Sequence, residues 1–454
     1  MQLPLIALLV SMVSLAGCFG GDDGPARPDL RDPRTVEIDL IIQPDSVVPL
    51  YTLNDGERLM NVTAMGFQLA GDDRGLTVPG PQLRVLEGDT VIIRLINSNA
   101  LPHTFHLHGN LDDWEDDGVP FVSQMPIHSG QEHEYVFEDI KAGTYWYHCH
   151  VDVAHHIDLG MYGAFIVEER EPTYEAEDLP EHVLMFDEWD NCHVHQGSIG
   201  PVDPRTREGS ANYNALPECA QTVILDTIAQ NFAPSTGGAA VPDAVKDPAC
   251  EAYQDAMDDP TVPQELKDAI EPVLRQLNCD DGHRVPPPQQ SVREWYFAQF
   301  PNYVPNYNTY LINGKAFPDT KPILFEEGKT YRMRLINVGE EMHSLHIHGH
   351  SMLVTHRDGF ELSAPFRVDT LGIMPGERYD VLVEADNPGF WVFHDHVGLS
   401  VMNDDQAPGG MFTMIGYQGF LGQEWDPQGR SIELMEFTYN RLLEGGGHGH
   451  GGEA

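Results

Sequence analysis

Four His-X-His pairs constrain this chain more than any other feature: His106-Leu107-His108, His148-Cys149-His150, His346-Ile347-His348 and His394-Asp395-His396. An extended strand sends side chains i and i+2 to one face, so each pair offers two rings to a common site when it lies on a strand. Neutral imidazole is a favoured ligand of copper, iron, nickel and zinc, and eight paired rings suit a cluster of such ions. Cys149 lies between two of these rings and therefore points to the opposite face. A thiolate there binds a second, separate metal while its own backbone leads to the first, which is wiring suited to electron transfer.

The chain also repeats itself. Glu87-Gly88-Asp89-Thr90 and Arg94-Leu95-Ile96-Asn97 return as Glu327-Gly328-Lys329-Thr330 and Arg334-Leu335-Ile336-Asn337. The same register carries His103, His106, His108 and Gly109 onto His343, His346, His348 and Gly349, and Gly143 to His148 aligns with Gly389 to His394. Each copy alternates apolar and polar residues between Gly, Pro and Asn turns, the pattern of a Greek-key β-sandwich. The expectation is all-β: one sandwich over residues 36–170, a second over 291–440, and an insertion over 171–290 between them. That insertion holds Cys192, Cys219, Cys250 and Cys279, which predict two disulfides. A helix is expected after Pro263, with Leu266, Ile270, Leu274 and Leu277 on one face and Pro272 placed to kink it.

Residues 1–18 read as a lipoprotein-type signal segment, apolar from Leu3 to Val13 and ending Leu15-Ala16-Gly17-Cys18. Lipidation of Cys18, a polar tether over 19–35, and an exported protein, lipid-anchored on the outer face of the cell membrane or periplasmic, follow. Residues 441–454 form a Gly/His tail. The net charge is −45, from 71 acids against 26 bases. Such a surface repels nucleic acid and anionic lipid and gathers cations, and it also suits solubility in a saline habitat.

The two copies differ at the sulfur position. The first has Cys149, then His156 and Gly160-Met161, with His103 three residues before His106. The second has Asp395 for the cysteine and Gln406 where His156 would recur. A thiolate and two imidazoles with a weak thioether describe a blue copper electron-transfer site, assigned here to Cys149, His103, His156 and axial Met161. His155 competes with His156, and the His-X-X-X-Gly-Met spacing favours His156. His343 is then the relic of a lost second site, and His350 an orienting neighbour of the third pair.

With these motifs in place, the chain resembles the multicopper oxidases, specifically the two-domain, laccase-like kind with the blue (type 1) copper in the first domain. The resemblance runs from about residue 36 to 440 apart from the insertion, and it includes Trp114 to Ile127 with Asp117-Gly118 and Gln124-Met125-Pro126-Ile127. The family commonly has cysteine where this chain has Met125. The resemblance implies cupredoxin-like domains and four coppers per chain: one type 1, one type 2 and two type 3. It implies His106 and His346 on the type 2 copper. One type 3 copper would take His108, His148 and His396, the other His150, His348 and His394. Electrons from a small reducing substrate, a phenol, aromatic amine or metal ion, would enter at the blue copper and pass through Cys149 to reduce O2 to water. Asp117 resembles the acid that delivers protons near the cluster, though Asp-Gly also suits a turn. A homotrimer with interfacial clusters is implied, the alternative being a cluster within one chain whose insertion lets the two domains fold back on each other. A copper nitrite reductase and a non-enzymatic copper-binding electron carrier are the alternatives; the first needs no His150, His348 or His396, and the second needs none of the eight rings.

Overall fold

The computed structural model describes residues 32–44, 46–52, 59–110, 114–170, 179–190, 307–403 and 407–443. The predicted signal segment, most of the tether, the four cysteines expected to pair, the helix expected after Pro263, Gln406 and the His448/His450 tail lie outside them.

The first sandwich sets two four-stranded sheets face to face. One has the order β4 (Phe67–Leu69), β1 (Thr35–Ile42), β6 (Thr90–Asn97), β8 (Glu132–Phe137). The other has β5 (Leu83–Leu86), β10 (Tyr162–Glu168), β9 (Gly143–His148), β7 (His106–His108). Period-2 alternation builds the core: along β6, Val91, Ile93 and Leu95 are fully buried, while Arg94 points out and pairs with Asp39 on β1. Phe67, Phe105 and Tyr147 fill the middle with edge-on and stacked rings. A hairpin of β2 (Ser46–Thr52) and β3 (Leu59–Ala64) interrupts the connection from β1 to β4, and helix α1 (Val153–Asp158) joins β9 to β10.

The second sandwich repeats the topology and extends it. Its first sheet runs β12 (Thr309–Ile312), β11 (Glu181–Trp189), β14 (Thr330–Asn337), β19 (Arg378–Glu384), then β16 (Met352–Arg357) and β17 (Phe360–Val368). Its second runs β13 (Ile323–Phe325), β21 (Phe412–Tyr417), β20 (Phe390–Asp395), β15 (His343–Ile347), β18 (Thr370–Ile373). The parallel pairs recur too: β1 with β6 and β5 with β10 become β11 with β14 and β13 with β21. A terminal helix, α2 (Ser431–Leu443), packs Leu434 against Gly416 of β21.

This arrangement corrects the expected boundaries. Residues 181–189, assigned to the insertion from sequence, form β11 in the middle of the second sandwich's sheet. In chain order the stretch between residues 190 and 307 therefore separates β11 from β12 of the second sandwich, as β2 and β3 separate β1 from β4 in the first. The sequence masks this strand because Glu-His-Val-Leu-Met-Phe-Asp-Glu-Trp carries Asp187 and Glu188, which read as solvent-facing yet are fully buried.

The sandwiches pack on each other. Trp146, Ile157, Tyr162, Ala164 and Ile166 of the first meet Met185, Ile336 and Val338 of the second in one apolar cluster. Beside it Arg334 of β14, almost fully buried, donates to Glu181, to Asp380 and across to Thr144 on β9. The site-bearing strand β9 is thus held from both sides.

Candidate metal centres

The end of β9 and helix α1 bring together His103, Cys149 and His156, whose ligand atoms all lie within 4.8 Å of one another and whose side chains are buried. The Cys149 sulfur is 3.5 Å from His103 Nδ1 and 3.2 Å from His156 Nδ1. His155 turns elsewhere, its Nδ1 lying 3.1 Å from the Asp152 carboxylate. Met161 is fully buried and its carbonyl accepts the Cys149 N–H at 3.1 Å. Gly160 makes that return possible: its φ is +100°, and a Cβ there would lie 2.5 Å from the Val78 side chain. Burial pushes the Cys149 thiol up to about 12. A thiolate at this place needs a cation at bonding distance, and the soft sulfur–imidazole set supplies the donors that copper prefers.

The His-X-His pairs form two quartets, one per sandwich. In the first, His106 lies 5.0 Å from His148 and 5.2 Å from His150 between ring centres, and His108 is 5.7 Å from His148. His106, His108 and His148 can converge on one ion. In the second, His346 lies 4.8 Å from His348 and 5.6 Å from both His394 and His396. Among the described residues no close ring pair joins one quartet to the other.

Hydrogen bonds select the tautomers. His106 Nδ1 faces the Asp117 carbonyl at 2.6 Å, and His346 Nδ1 faces the Asp369 carbonyl at 2.9 Å. His148 and His394 place Nδ1 at 2.9 and 2.7 Å from the next residue's carbonyl. A carbonyl only accepts, so each Nδ1 carries the proton and each Nε2 keeps its lone pair for a metal. His348 and His394 point Nε2 at one another, 3.1 Å apart. Burial also keeps five of the rings neutral. It lowers His108 to about 3, helped by the Arg378 charge, takes His148 well below the ordinary value, and lowers His150, His348 and His394. The eight rings fit the coppers that the sequence implies.

Asp117 adjoins the first quartet through its carboxylate as well, 3.2 Å from His106 Nδ1. Gly118 after it has φ +76°, and a Cβ there would come within 1.8 Å of the Phe105 carbonyl, so this turn requires glycine. The Asp-Gly pair is both a turn and a carboxylate at the site.

Comparison with known proteins agrees with this chemistry. Two sequence profiles, each described as multicopper oxidase, match residues 75–172 and 288–419. The chain belongs to the multicopper oxidase family. This copper-binding family includes copper resistance protein A of Escherichia coli, 28% identical over 345 residues that make up 76% of this chain and 47% of the relative. Copper resistance protein A of Pseudomonas syringae pv. tomato is 30% identical over the same shares. The chain thus spans about half the length of these curated relatives. The blue copper oxidase from Nitrosomonas europaea superposes with a TM-score of 0.54 at 29% identity, covering 85% of this chain and 86% of that one. The multicopper oxidase mgLAC gives 0.56 at 28%, covering 86% and 89%. These two structures match over most of their own length, in line with cupredoxin-like sandwiches in this chain.

Two features of the site were not visible in sequence. Arg378 of β19 reaches across to the first sandwich, donating to the Thr144 carbonyl at 3.2 Å beside Gly109 and His108. Glu188, within the supposed insertion, contacts His343. Partners remote in sequence left no spacing signal.

Proposed function

We propose that the protein is a laccase-like multicopper oxidase that takes electrons singly from a small phenolic, aromatic-amine or metal-ion donor and uses them to reduce O2 to water. The observation that carries this reading is the adjacency of the two kinds of centre: Cys149 belongs to the sulfur group, and His148 and His150 on either side of it belong to the first quartet. His103, Cys149, His156 and Met161 would hold type 1 copper; His106 and His346 type 2; His108, His148 and His396 one type 3 copper, and His150, His348 and His394 the other. When bound, copper supplies the one-electron steps by which four electrons and four protons convert O2 to two waters. The chain's own part is to keep Nε2 lone pairs convergent, exclude water around Cys149, and hold the Asp117 carboxylate beside His106, where a proton is exchanged.

Each cluster copper in this assignment draws rings from both sandwiches, while close ring contacts within the chain stay inside one sandwich. This supports clusters completed by a second copy in a closed homotrimer. Exposed apolar side chains suit such contact: Trp114, Val122 and Met125 flank Asp117 in sequence, and Val397 and Leu399 lie within three residues after His396. Among the described residues no helix is long and apolar enough to cross a membrane; export with a lipid anchor on Cys18 rests on the sequence. Elemental analysis of copper per chain with an oxygen-electrode assay tests the reading. Four coppers and O2 consumption without release of nitric oxide are expected; two would indicate the nitrite reductase, one a carrier.

A further inference from the structure

The second sandwich has lost the sulfur site, yet the position it occupied is filled. His343 and Asp395 stand where the repeat places His103 and Cys149 in the first sandwich. Instead of a sulfur between imidazoles, the Asp395 carboxylate lies 2.8 Å from His343 Nδ1, and Glu188 from β11 approaches His343 Nε2 at 3.1 Å. All three side chains have no exposure to solvent.

Every other oxygen of this group is used. Asp395 Oδ1 accepts the N–H of Ser344 at 2.9 Å and of Val397 at 3.0 Å. Glu188 Oε1 accepts the N–H groups of Glu340 and Glu341. The cluster therefore ties β11, the loop entering β15, β15 itself and the segment leaving β20. These are the elements that carry His346, His394 and His396. With a carboxylate at each ring nitrogen, His343 donates twice and is an imidazolium. Burial opposes that charge, but the hydrogen bonds to Asp395 and Glu188 outweigh it and lift His343 to about 9.

We propose that Glu188, His343 and Asp395 act as a positioning triad, an internal ion cluster that replaces the lost metal and fixes the rings of His394 and His396. The inference rests on the reading of those two rings as copper ligands. Asp395 lies between them in the chain, and its hydrogen bonds from Ser344 and Val397 pin the backbone from which both rings project. Metal sites tolerate errors of only a few tenths of an ångström in their donors, about 0.2 Å. An intact cation–carboxylate cluster is rigid in a dry interior, whereas removing one member leaves unpaired charge that pulls the strand ends apart.

Three variants of the full chain test this: Asp395→Ala, Glu188→Ala and the near-isosteric Asp395→Asn. The blue absorbance serves as an internal control, because it arises in the first sandwich. Both alanine variants should keep it while their remaining copper is stripped by a chelator about tenfold more readily than in the parent protein. Asp395→Asn should retain most of that copper, since its amide oxygen still accepts from Ser344 and Val397. Alanine variants with unchanged chelator competition overturn the proposal, and so does loss of the blue band together with the other copper. A second measurement does not depend on copper: nitrogen-15 spectra of histidine in the copper-free protein. They should show His343 with two ring N–H groups, and the Glu188→Ala change should shift the His394 and His396 rings; unshifted rings overturn the triad. If the parent itself fails to hold four coppers, the functional reading falls, while these spectra still decide the triad.

Discussion

Replacing Arg334 with methionine removes one of the cations that join the sandwiches, and its cost follows from the contacts. The guanidinium side chain is 3% exposed; it donates to Glu181 at 2.9 Å, to Asp380 at 3.1 Å and to Thr144 Oγ1 at 2.7 Å. Arg84 meets Glu181 and Glu168 from the other side. Burial works against the Glu181 charge, yet Arg334 and Arg84 outweigh it and hold this carboxyl at about 2 instead of 4.5. That difference corresponds to roughly 3 kcal/mol of stabilisation shared by two arginines. Stranding one member of a buried ion pair costs about 3–5 kcal/mol, and the Arg84 that remains offsets part of it. The expected loss in Arg334→Met is about 2–3 kcal/mol at pH 7.

The sign with pH is fixed by the same shift. A carboxyl whose folded value is depressed stabilises the fold above its unfolded value, and this contribution disappears as pH falls through the folded value. The gap between parent and variant should therefore be full above pH 4.5 and close as pH approaches 2. Urea unfolding of chelator-stripped protein across this range reads it directly. Arg334→Lys, which keeps charge but loses the fork that reaches Glu181, Asp380 and Thr144 together, should fall between the two. A gap below about 0.5 kcal/mol at pH 7, within the scatter of ordinary surface changes, refutes the reasoning. So does a gap that stays constant on acidification.

Three further outcomes are expected at the metal centres. Cys149→Ser should abolish blue absorbance and donor oxidation while leaving copper at the histidine quartets; turnover that survives the change contradicts the electron route. His156→Ala should abolish the blue band, whereas His155→Ala, which removes a ring turned toward Asp152, should leave its intensity intact in a visible spectrum. Asp117→Asn should keep the blue band and slow O2 consumption by a factor on the order of 100, the usual worth of a positioned acid–base group; an unchanged rate would leave Asp117 with its turn role alone.

How much of this was legible in the sequence depends on whether partners are near each other along the chain. The quartets were legible because His-X-His on a strand fixes a common face by itself, and the Gly160-Met161 step after His156 needed only a short loop. The repeat gave the sandwiches for the same reason, since Val91, Ile93 and Leu95 and their counterparts obey one local period. Contacts between distant strands left no such trace. Glu188, His343 and Asp395 meet from three separate elements, and nothing around Glu188 distinguishes a buried carboxylate from a solvated one. The same gap hid β11: of its two central acids, Glu188 is met by His343 and by backbone N–H groups that only the folded protein supplies, and Asp187 accepts the indole N–H of Trp189. The sequence thus records where a metal was lost, through Asp395, but not what took its place. That distinction matters for function. A sandwich that gives up one ion must still present rings to a cluster, so the replacement has to reproduce the rigidity of the bond it displaced. Two carboxylates around one imidazolium do this with charge instead of coordination, and they do it on the face opposite the cluster rings, where no donor is taken from them.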